Sequence, residues 1–504
     1  MSYVFRFERK IYLSIISTLF TLSLSGQNDT IHLPLHEAIL LAQDSSLSAF
    51  RSKYTYETGY WNFRNYQARR LPTLNMTVNP FTYNRSITKQ FNSADSSYRY
   101  YEGQNMNNSI ALNLQQGITL TGGKVYIESD LGRLENYVGL KGASYSSTPF
   151  RVGINQPIFG FNTYKWEKRI EPLKFQKAKL DYIQSSENIA LETVNLYFNL
   201  VFAQQNLKIA RSNFANTDTL YQIGQKRFKL FAINKADLLT LQLELINSKN
   251  RLKEAHNNNE KTVSAICIYL GIPQDKVIST IIPDSISLTA IEKEVVFDLA
   301  HKNNPFYVGL NQQIIESDRD LERTRIESRF SSNLDLSFGL NQTGKNIPDA
   351  FANPSEQQMV NLRFQIPLID WGQKRGRYNL AKSQQKLQSS TLKQREIDFE
   401  QDMLISVNEF NLQVEMVKSA KEAAEVAVEV YEMNKQRFVL GQMDVNTLIM
   451  QLTRKENAIV SYMNSLYKYW KLYYNLRYLT LFDFEKNRSL INDLDNKLGS
   501  RESN

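Results

Sequence analysis

Two long stretches without proline are the feature of this sequence that most constrains its fold. Residues 173–272 and 368–504 contain none of the chain's 12 prolines. Because proline removes a backbone donor and clashes with the preceding helical turn, stretches of this kind are where very long helices can form. A helix of about 65 residues would be roughly 100 Å long, far longer than an ordinary globular core. The sequence therefore predicts long helices that lie side by side.

Both stretches belong to a duplicated segment. Residues 221–230 and 431–440 share tyrosine, arginine, phenylalanine and leucine at equivalent positions, 210 residues apart. Pro157 and Pro367 keep the same offset, and each closes an alternating segment. A repeat of this kind indicates two copies of one structural unit. We expect each copy to consist of a helix, strands, a long helix, a turn and a second long helix.

The two copies differ in length near their strands. A similarity around Ala42 and Ala300 has an offset of 258 residues, so the first copy carries 48 extra residues between residues 72 and 157. We interpret these residues as an added hairpin near 106–145. The predicted segments are, in chain order, a signal peptide over 1–26, a first copy over 27–272 with a leading helix over 34–69, a linker over 273–290, a second copy over 291–482 with a leading helix over 291–328, and a disordered C-terminal tail over 483–504.

Alternation of apolar and polar residues predicts four strands in the first copy and two in the second. Leu74, Met76 and Val78, for example, alternate with Asn75 and Thr77. Alternating segments of about ten residues are typical of outer-membrane barrel strands, although a soluble β-sandwich shows the same pattern. Aromatic residues near strand ends favour a membrane barrel, because such residues gather at membrane interfaces. They are Phe81, Tyr83, Tyr98, Tyr100, Tyr101, Phe159, Phe161 and Trp371.

The long helices carry a heptad pattern. In each copy, one set of positions recurs at alternating steps of four and three residues and contains many small side chains. This spacing predicts that helices pack against one another as in a coiled coil. The sets are Ile189, Thr193, Leu196, Leu200, Ala203, Leu207, Ala210 and Phe214 in the first copy and Phe399, Met403, Ser406, Phe410, Gln413, Val417, Ala420 and Ala424 in the second.

The N-terminus has the features of a secretory signal peptide. Arg6, Arg9 and Lys10 precede an apolar run over 11–24, and small residues lead to a predicted cleavage point after Gly26. The alternative is a transmembrane anchor, but the apolar run of about 14 residues is shorter than the roughly 20 that a helical span needs. We therefore expect a secreted protein.

Composition and motifs do not favour an enzyme or a nucleic-acid-binding protein. The four histidines are scattered, and Gly122-Gly123-Lys124 lies in a predicted strand region rather than before a helix, so it does not predict a phosphate loop. The net charge of +9 is spread along the chain, with basic and acidic residues alternating on helical segments. We predict no catalytic residue, no metal site, no cofactor and no nucleic-acid partner.

The ends of the repeated segments carry a resemblance to a known family. Arg437-Phe438-Val439-Leu440-Gly441 is followed by Asp444, and the first copy has Arg227-Phe228-Lys229-Leu230 followed by Asn234. These motifs and the duplicated order of elements resemble the TolC-like outer-membrane efflux protein family over about residues 33–482. The first copy departs from the family at Phe231, where a turn glycine is usual.

The resemblance implies an α+β membrane protein in which a trimer shares a transmembrane β-barrel. A long α-helical coiled-coil barrel continues it, and each chain holds two structural repeats. It also implies an outer-membrane exit duct with its tunnel in the periplasm. The partners would be a periplasmic adaptor, an inner-membrane pump of the resistance-nodulation or ABC type, and outer-membrane lipid. Drug efflux, metal efflux and type I secretion stay open, and a non-transporting periplasmic coiled-coil protein is the alternative.

The resemblance also implies roles for the two turns between the long helices. In the family these turns dock on the adaptor and close the duct. The residues that match a docking role are Arg227, Phe228, Leu230, Phe231, Arg437, Phe438, Leu440 and Gly441. Candidates for the aperture are Asp237, Asp444, Thr447 and Met450, of which the last two stand where the family has a pair of aspartates. Asp237 and Asp444 could instead be carboxylates that stabilise helix N-termini.

Overall fold

The structure is a computed structural model of the chain, and it divides into two compact units. The described residues are 30–93, 95–138, 141–274, 276–283 and 290–492. The predicted signal peptide and the end of the predicted tail lie outside them. The first unit comprises, among the described residues, 30–50, 186–290 and 409–475, and the second comprises 51–185, 291–408 and 476–492.

Helices and strands follow the duplicated order predicted from the sequence. In the first half they are β1 (Thr30–Pro34), α1 (Leu35–Ser45), α2 (Leu47–Ala68), β2 (Thr73–Asn92), β3 (Ser97–Gly117), β4 (Lys124–Asn136), β5 (Gly142–Pro157), α3 (Thr163–Lys229), α4 (Lys235–Leu270) and β6 (Val277–Ile281). In the second half they are α5 (Lys293–Asn303), α6 (Pro305–Glu327), β7 (Ser331–Gly344), α7 (Ile347–Ala352), β8 (Ser355–Gln365), α8 (Gln373–Val439), α9 (Val445–Thr480), β9 (Phe482–Asp483) and β10 (Arg488–Ser489).

The second unit is built on one antiparallel sheet of six strands, in the order β2-β3-β4-β5-β7-β8. Strands β3 and β4 flank the turn Thr121-Gly122-Gly123, and each pairs with a neighbour on both sides. The hairpin assigned to the 48 extra residues is therefore part of the sheet. Among the described strands, β2 and β8 each have a single neighbour, so they form the two edges of the sheet.

The two faces of this sheet differ in polarity. On one face apolar side chains from all six strands are largely exposed, whereas the other face carries asparagine, serine and charged residues. On the polar face Arg151 pairs with Glu128 at 2.8 Å, and the Asn155 amide donates to Asp335 at 2.7 Å. The apolar face includes Leu74, Met76, Val78, Ile110, Leu112, Ile127, Phe150, Ile154, Leu336, Phe338, Val360, Leu362 and Phe364.

Each predicted leading helix is broken into two, which corrects the continuous helices expected over 34–69 and 291–328. In the first copy the break is at Ser46, whose hydroxyl accepts a hydrogen bond from the Ala49 amide at 3.1 Å. In the second copy it is at Asn304, which caps α6 by accepting from the Phe306 amide at 2.8 Å. Pro305 follows Asn304 and has no amide proton to donate, so the helix restarts there.

The first unit contains most of the coiled-coil packing. Helices α3 and α8 are both 67 residues long, and α4 and α9 are both 36 residues long. The predicted heptad positions are mostly buried, including Leu200 and Ala203 on α3 and Phe410 and Val417 on α8. None of the described helices has an apolar stretch long enough to cross a membrane.

The predicted linker over 273–290 contains a strand that sequence patterns did not reveal. Strand β6 pairs in parallel with β1, from Thr30 beside Val277 to Pro34 beside Ile281. The buried hydroxyl of Tyr197 on α3 lies 2.9 Å from the Leu33 carbonyl and 2.6 Å from the Ile281 carbonyl, and it accepts from the Ile281 amide. Burial raises the pKa of Tyr197 to about 12. These bonds attach the two-stranded sheet to the helix.

The predicted tail also begins too early. Residues 482–492 form a small hairpin and a further turn of helix. Leu490 packs with Leu481, Leu180 and Ile183 in a buried apolar cluster. Arg477 donates to the buried carboxylate of Asp483 at 3.1 Å. The described part of the predicted tail is therefore folded, because an apolar side chain within a polar segment finds a buried position.

Candidate functional site

The candidate site consists of the two turns that join the long helices, both in the first unit. The first turn, residues 230–234, connects α3 to α4, and it ends at Asn234, whose side chain accepts from the Asp237 amide at 2.8 Å. Leu230 is exposed, and Phe231 at the turn itself is 95% exposed. The first turn thus presents two large apolar side chains to solvent.

Phe231 has an unusual backbone conformation for its residue type. Its φ angle is 57°, in the left-handed region that favours glycine. The second turn, residues 440–444, has Gly441 at the equivalent position, with a φ of 81°. A residue with a side chain pays about 1–2 kcal/mol in this conformation. The phenylalanine is therefore unfavourable both in its backbone and in its exposure to water.

Arg227 of the first copy binds the end of the long helix of the second copy. Its guanidinium donates to the Phe438 carbonyl at 3.2 Å and to the Val439 carbonyl at 3.3 Å. It also lies 5.3 Å from the centre of the Phe438 ring. The last carbonyls of a helix lack partners within the helix and carry partial negative charge, so a cation there is stabilising. Arg227 thereby holds the two turns together.

The equivalent residues of the two copies have different environments. Phe438 is 3% exposed in an apolar core beside Tyr431 and Leu448, whereas Phe228 is exposed. Arg437, the counterpart of Arg227, is exposed. The remaining buried members of this core are Leu241, Val445 and Leu452. The second turn is thus anchored in a core, and the first turn is the more exposed of the two.

The aperture candidates are arranged around helix starts. Asp444 accepts from the Thr447 amide at 2.9 Å and from its hydroxyl at 2.6 Å, so it caps α9. The hydrogen bonds from Thr447 lower the pKa of Asp444. The charged carboxylate is therefore favoured in the folded protein, and this contribution is lost as the pH falls through its lowered pKa. Asp237 lies in the first turn of α4, and the Met450 side chain is exposed.

The structure brings together only some of the predicted residues. Arg227 contacts Phe438, and Asp444 contacts Thr447. The bond from Arg227 to the other copy's helix end was missed, because the duplicated motif suggested equal roles for Arg227 and Arg437. Within the described residues, no group of histidine, cysteine, aspartate and glutamate is arranged to hold a metal ion.

We predict that Arg227→Gln loosens the second turn, because the carbonyls of Phe438 and Val439 lose their cationic donor. Hydrogen–deuterium exchange in residues 436–444 should become several-fold faster. Arg437→Gln is the matched control, since it removes the same charge from the equivalent exposed position, and it should leave exchange in both turns unchanged. Equal effects of the two substitutions would contradict the assigned role of Arg227.

Comparison with known proteins identifies the family to which this chain belongs. The family model described as outer membrane efflux protein matches residues 63–271 and 327–446. No curated protein sequence matches the chain.

Solved structures share the fold at low sequence identity. The chain is similar to the Campylobacter jejuni CmeC outer membrane channel, with 16% identity and a TM-score of 0.65 over 92% of this chain and 88% of that one. It is also similar to the Neisseria gonorrhoeae MtrE outer membrane channel in its open state, with 11% identity and a TM-score of 0.57 over 88% of each chain. Because the family model covers well over half of the residues, the chain belongs to the outer membrane efflux protein family and is an outer-membrane efflux channel.

Proposed function

We propose that three copies of this chain form a passive exit duct that crosses the outer membrane as one closed β-barrel and continues into the periplasm as a helical tunnel. An inner-membrane pump and a periplasmic adaptor would supply the substrate and the energy. The duct itself then needs no catalytic residue or cofactor, and we propose that it is not an enzyme. The two repeats within each chain, 27–272 and 291–482, would each contribute strands to the barrel and helices to the tunnel.

The observation that carries this proposal is the exposed apolar face of the six-stranded sheet. Side chains such as Met76, Phe338 and Val360 lie in solvent in the single chain, and they extend across all six strands. A soluble protein rarely exposes an apolar patch of more than a few hundred Å². Lipid would cover this face, and the polar face with Arg151 and Glu128 would line an aqueous pore.

The edges of the sheet require partners if the sheet lies in lipid. Unpaired backbone donors and acceptors on β2 and β8 would each cost several kcal/mol there, so only a closed barrel is stable. Joining β8 of one copy to β2 of the next leaves no edge, and three copies of six strands give 18. The antiparallel direction of the new pair is correct, because β2 and β8 run in opposite directions across the six-stranded sheet.

The register of the sheet fits such a closure. A row of paired residues starts at Thr73 and ends at Met359, and β8 continues six residues further, to Gln365. An offset of six residues for each set of six strands gives a strand tilt of about 35°, from spacings of about 3.3 Å along a strand and about 4.8 Å between strands. Closed barrels have tilts of roughly 35–45°. If Gln365 of one copy lies beside Thr73 of the next, each copy would have the stagger of one third of a closed barrel.

Helix α8 supports the same assembly in the periplasm. One stripe at seven-residue spacing, including Phe410, Val417 and Tyr431, is buried within the chain. A second stripe at the same spacing contains Leu412 and Val426, which are 62% and 59% exposed. Such a stripe is typical of a coiled-coil surface without its partner helix. We assign it to packing against a neighbouring copy.

We also propose that the two turns bind the adaptor. Phe231 and Leu230 project from the first turn and Leu440 from the second, and large exposed apolar side chains of this kind can anchor a helical partner. Arg227, Phe228, Arg437, Phe438 and Gly441 shape the turns around them. Asp237, Asp444, Thr447 and Met450 stay aperture candidates, with Asp444 and Thr447 also acting as a helix cap.

The proposed duct is tested by incorporating the purified full chain into planar lipid bilayers and recording ionic current. We expect stepwise conductance increases, each from one trimer. The alternative of a non-transporting periplasmic coiled-coil protein predicts no current and a chain that stays soluble without detergent.

The barrel closure is tested with one cysteine pair, Thr77→Cys with Asn361→Cys. If Gln365 of one copy lies beside Thr73 of the next, Thr77 and Asn361 are opposite each other, and oxidation should give covalent dimers and trimers on denaturing gels. Each single substitution is a control and should stay monomeric, because the native Cys267 is buried. Absence of covalent products from the pair, with intact conductance, would contradict this register.

The docking role of Phe231 predicts a loss of adaptor binding on Phe231→Gly without a loss of folding. Glycine avoids the left-handed strain of about 1–2 kcal/mol but loses about 0.5–1 kcal/mol of backbone entropy, so the melting temperature should change little. Adaptor affinity, measured by surface plasmon resonance, should fall at least tenfold. Leu47→Asn removes another strongly exposed apolar side chain, from α2, and should leave affinity unchanged; equal losses for both variants would exclude a specific role.

A further inference from the structure

The hairpin of β2 and β3 extends well beyond the rest of the sheet. The last residue pair of β3 and β4 is Asn105 with Asn136. Beyond it, eight pairs from Arg85–Gln104 to Asn92–Ser97 continue as a two-stranded segment, which we call the ribbon (residues 85–104). At about 3.3 Å per residue it is roughly 26 Å long. A two-stranded hairpin by itself is marginally stable in water, so the ribbon is expected to have a partner.

Side-chain contacts order the ribbon from its base to its turn. At the base Arg85 pairs with Glu102 at 2.5 Å. In the turn the Asp95 carboxylate accepts from the Ser97 hydroxyl at 2.8 Å and from the Ser97 amide at 3.2 Å. The described residues of the ribbon therefore form a defined surface.

One face of the ribbon carries exposed aromatic and apolar side chains beside the ion pair of Arg85 and Glu102. A bulge at 79–82 shifts the alternation of β2, so that Ile87 and Phe91 share a face with Tyr98 and Tyr100 of β3. This face continues the apolar face of the sheet. The rings of Phe91 and Tyr98 are 5.2 Å apart, and the Lys89 amine lies 4.7 Å from the Tyr98 ring. All four apolar side chains are more than half exposed.

A second uncovered apolar patch lies near the opposite edge of the sheet. Helix α7 packs on the apolar face with Ala350 fully buried, and the Ser147 hydroxyl donates to the Ala350 carbonyl. Gly344 allows this close approach, because a Cβ there would meet the Ala350 nitrogen at 2.5 Å. Ile347 and Phe351 are four residues apart, share one side of the helix and are exposed.

Closure of the barrel would bring the ribbon of one copy and the Ile347–Phe351 patch of the neighbouring copy to the same height along the barrel axis. If Gln365 lies beside Thr73 of the next copy, Ser355 at the start of β8 lies beside Tyr83, immediately below the ribbon. Only two residues separate the end of helix α7 from Ser355. In addition, the row of paired residues that starts at Thr73 meets β8 at Met359, six residues before the end of that strand. In the closed barrel the strands would therefore tilt toward the β2 edge, and the ribbon would lean toward the neighbouring copy whose β8 joins that edge.

We propose that the ribbon of one copy packs its aromatic face against the Ile347–Phe351 side of α7 in the neighbouring copy. This interface rests on the proposed trimeric closure and would tie the copies together outside the barrel wall. A second copy is the occupant that the geometry favours, because joining the edges places an uncovered apolar patch beside the ribbon without any further component. The contact would stabilise the trimer on the side of the membrane opposite the long helices.

The inference is tested by cross-linking Ile87→Cys with Phe351→Cys in the full-length, membrane-extracted protein, using a bismaleimide of about 10 Å span. We expect covalent trimers on denaturing gels. Ser86→Cys with Phe351→Cys is the matched control, because Ser86 lies on the opposite face of the ribbon, and its yield should be at least fivefold lower.

The barrel-closure pair at Thr77 and Asn361 separates the two levels of the proposal. If that pair cross-links while the Ile87–Phe351 pair does not, the ribbon contacts lipid headgroups or another protein and our inference is wrong, although the duct stands. If neither pair cross-links, the trimeric closure itself fails.

A double-mutant cycle gives an independent readout. Ile87→Ser and Phe351→Ser should each lower the temperature at which trimers dissociate in detergent by a few degrees. The double variant should lower it by clearly less than the combined single shifts, because both substitutions remove the same contact. Additive shifts would contradict the interface.

Discussion

The need to pair every backbone donor and acceptor within lipid is the constraint on which the rest of this structure depends. The six-stranded sheet exposes apolar side chains on one face, and its edge strands β2 and β8 have, among the described strands, no neighbour on their outer side. Water could satisfy the backbone groups on that side, but lipid cannot. One chain thus leaves the sheet open, whereas the proposed joining of copies edge to edge would close it. The proposed trimer would meet this requirement and would cover the exposed heptad stripe on α8.

The added hairpin would change the diameter of the proposed pore, but the edges of the sheet would still need partners. Strands β3 and β4 lie within the sheet, so they would lengthen the barrel wall by two strands per copy. The diameter of a barrel grows roughly linearly with its number of strands. A wall of 18 strands would therefore be about one and a half times as wide as one of 12. The hairpin adds strands in antiparallel pairs, so the closing strands keep their direction.

The sequence predicted the features that repeat and missed those that depend on single contacts. Long helices, alternating strands and heptad positions such as Leu200 and Phe410 recur periodically, and their burial agrees with that period. The breaks at Ser46 and Asn304 and the burial of Leu490 depend on individual contacts that no period marks. At the candidate site, the exposed Phe231 was visible as a departure from the repeated glycine. The bond from Arg227 to the Phe438 carbonyl was not predicted, because it joins the two repeats within one chain, whose motifs look equivalent in sequence.

The most direct test of this account is an electron cryomicroscopy map of the detergent-extracted protein, in which the strands around the pore are counted. The account predicts three copies and 18 strands, with β8 of each copy beside β2 of the next and β3 and β4 within the wall. A map that shows 12 strands with the β3–β4 hairpin outside the wall, or a sheet that stays open in a single copy, would contradict it.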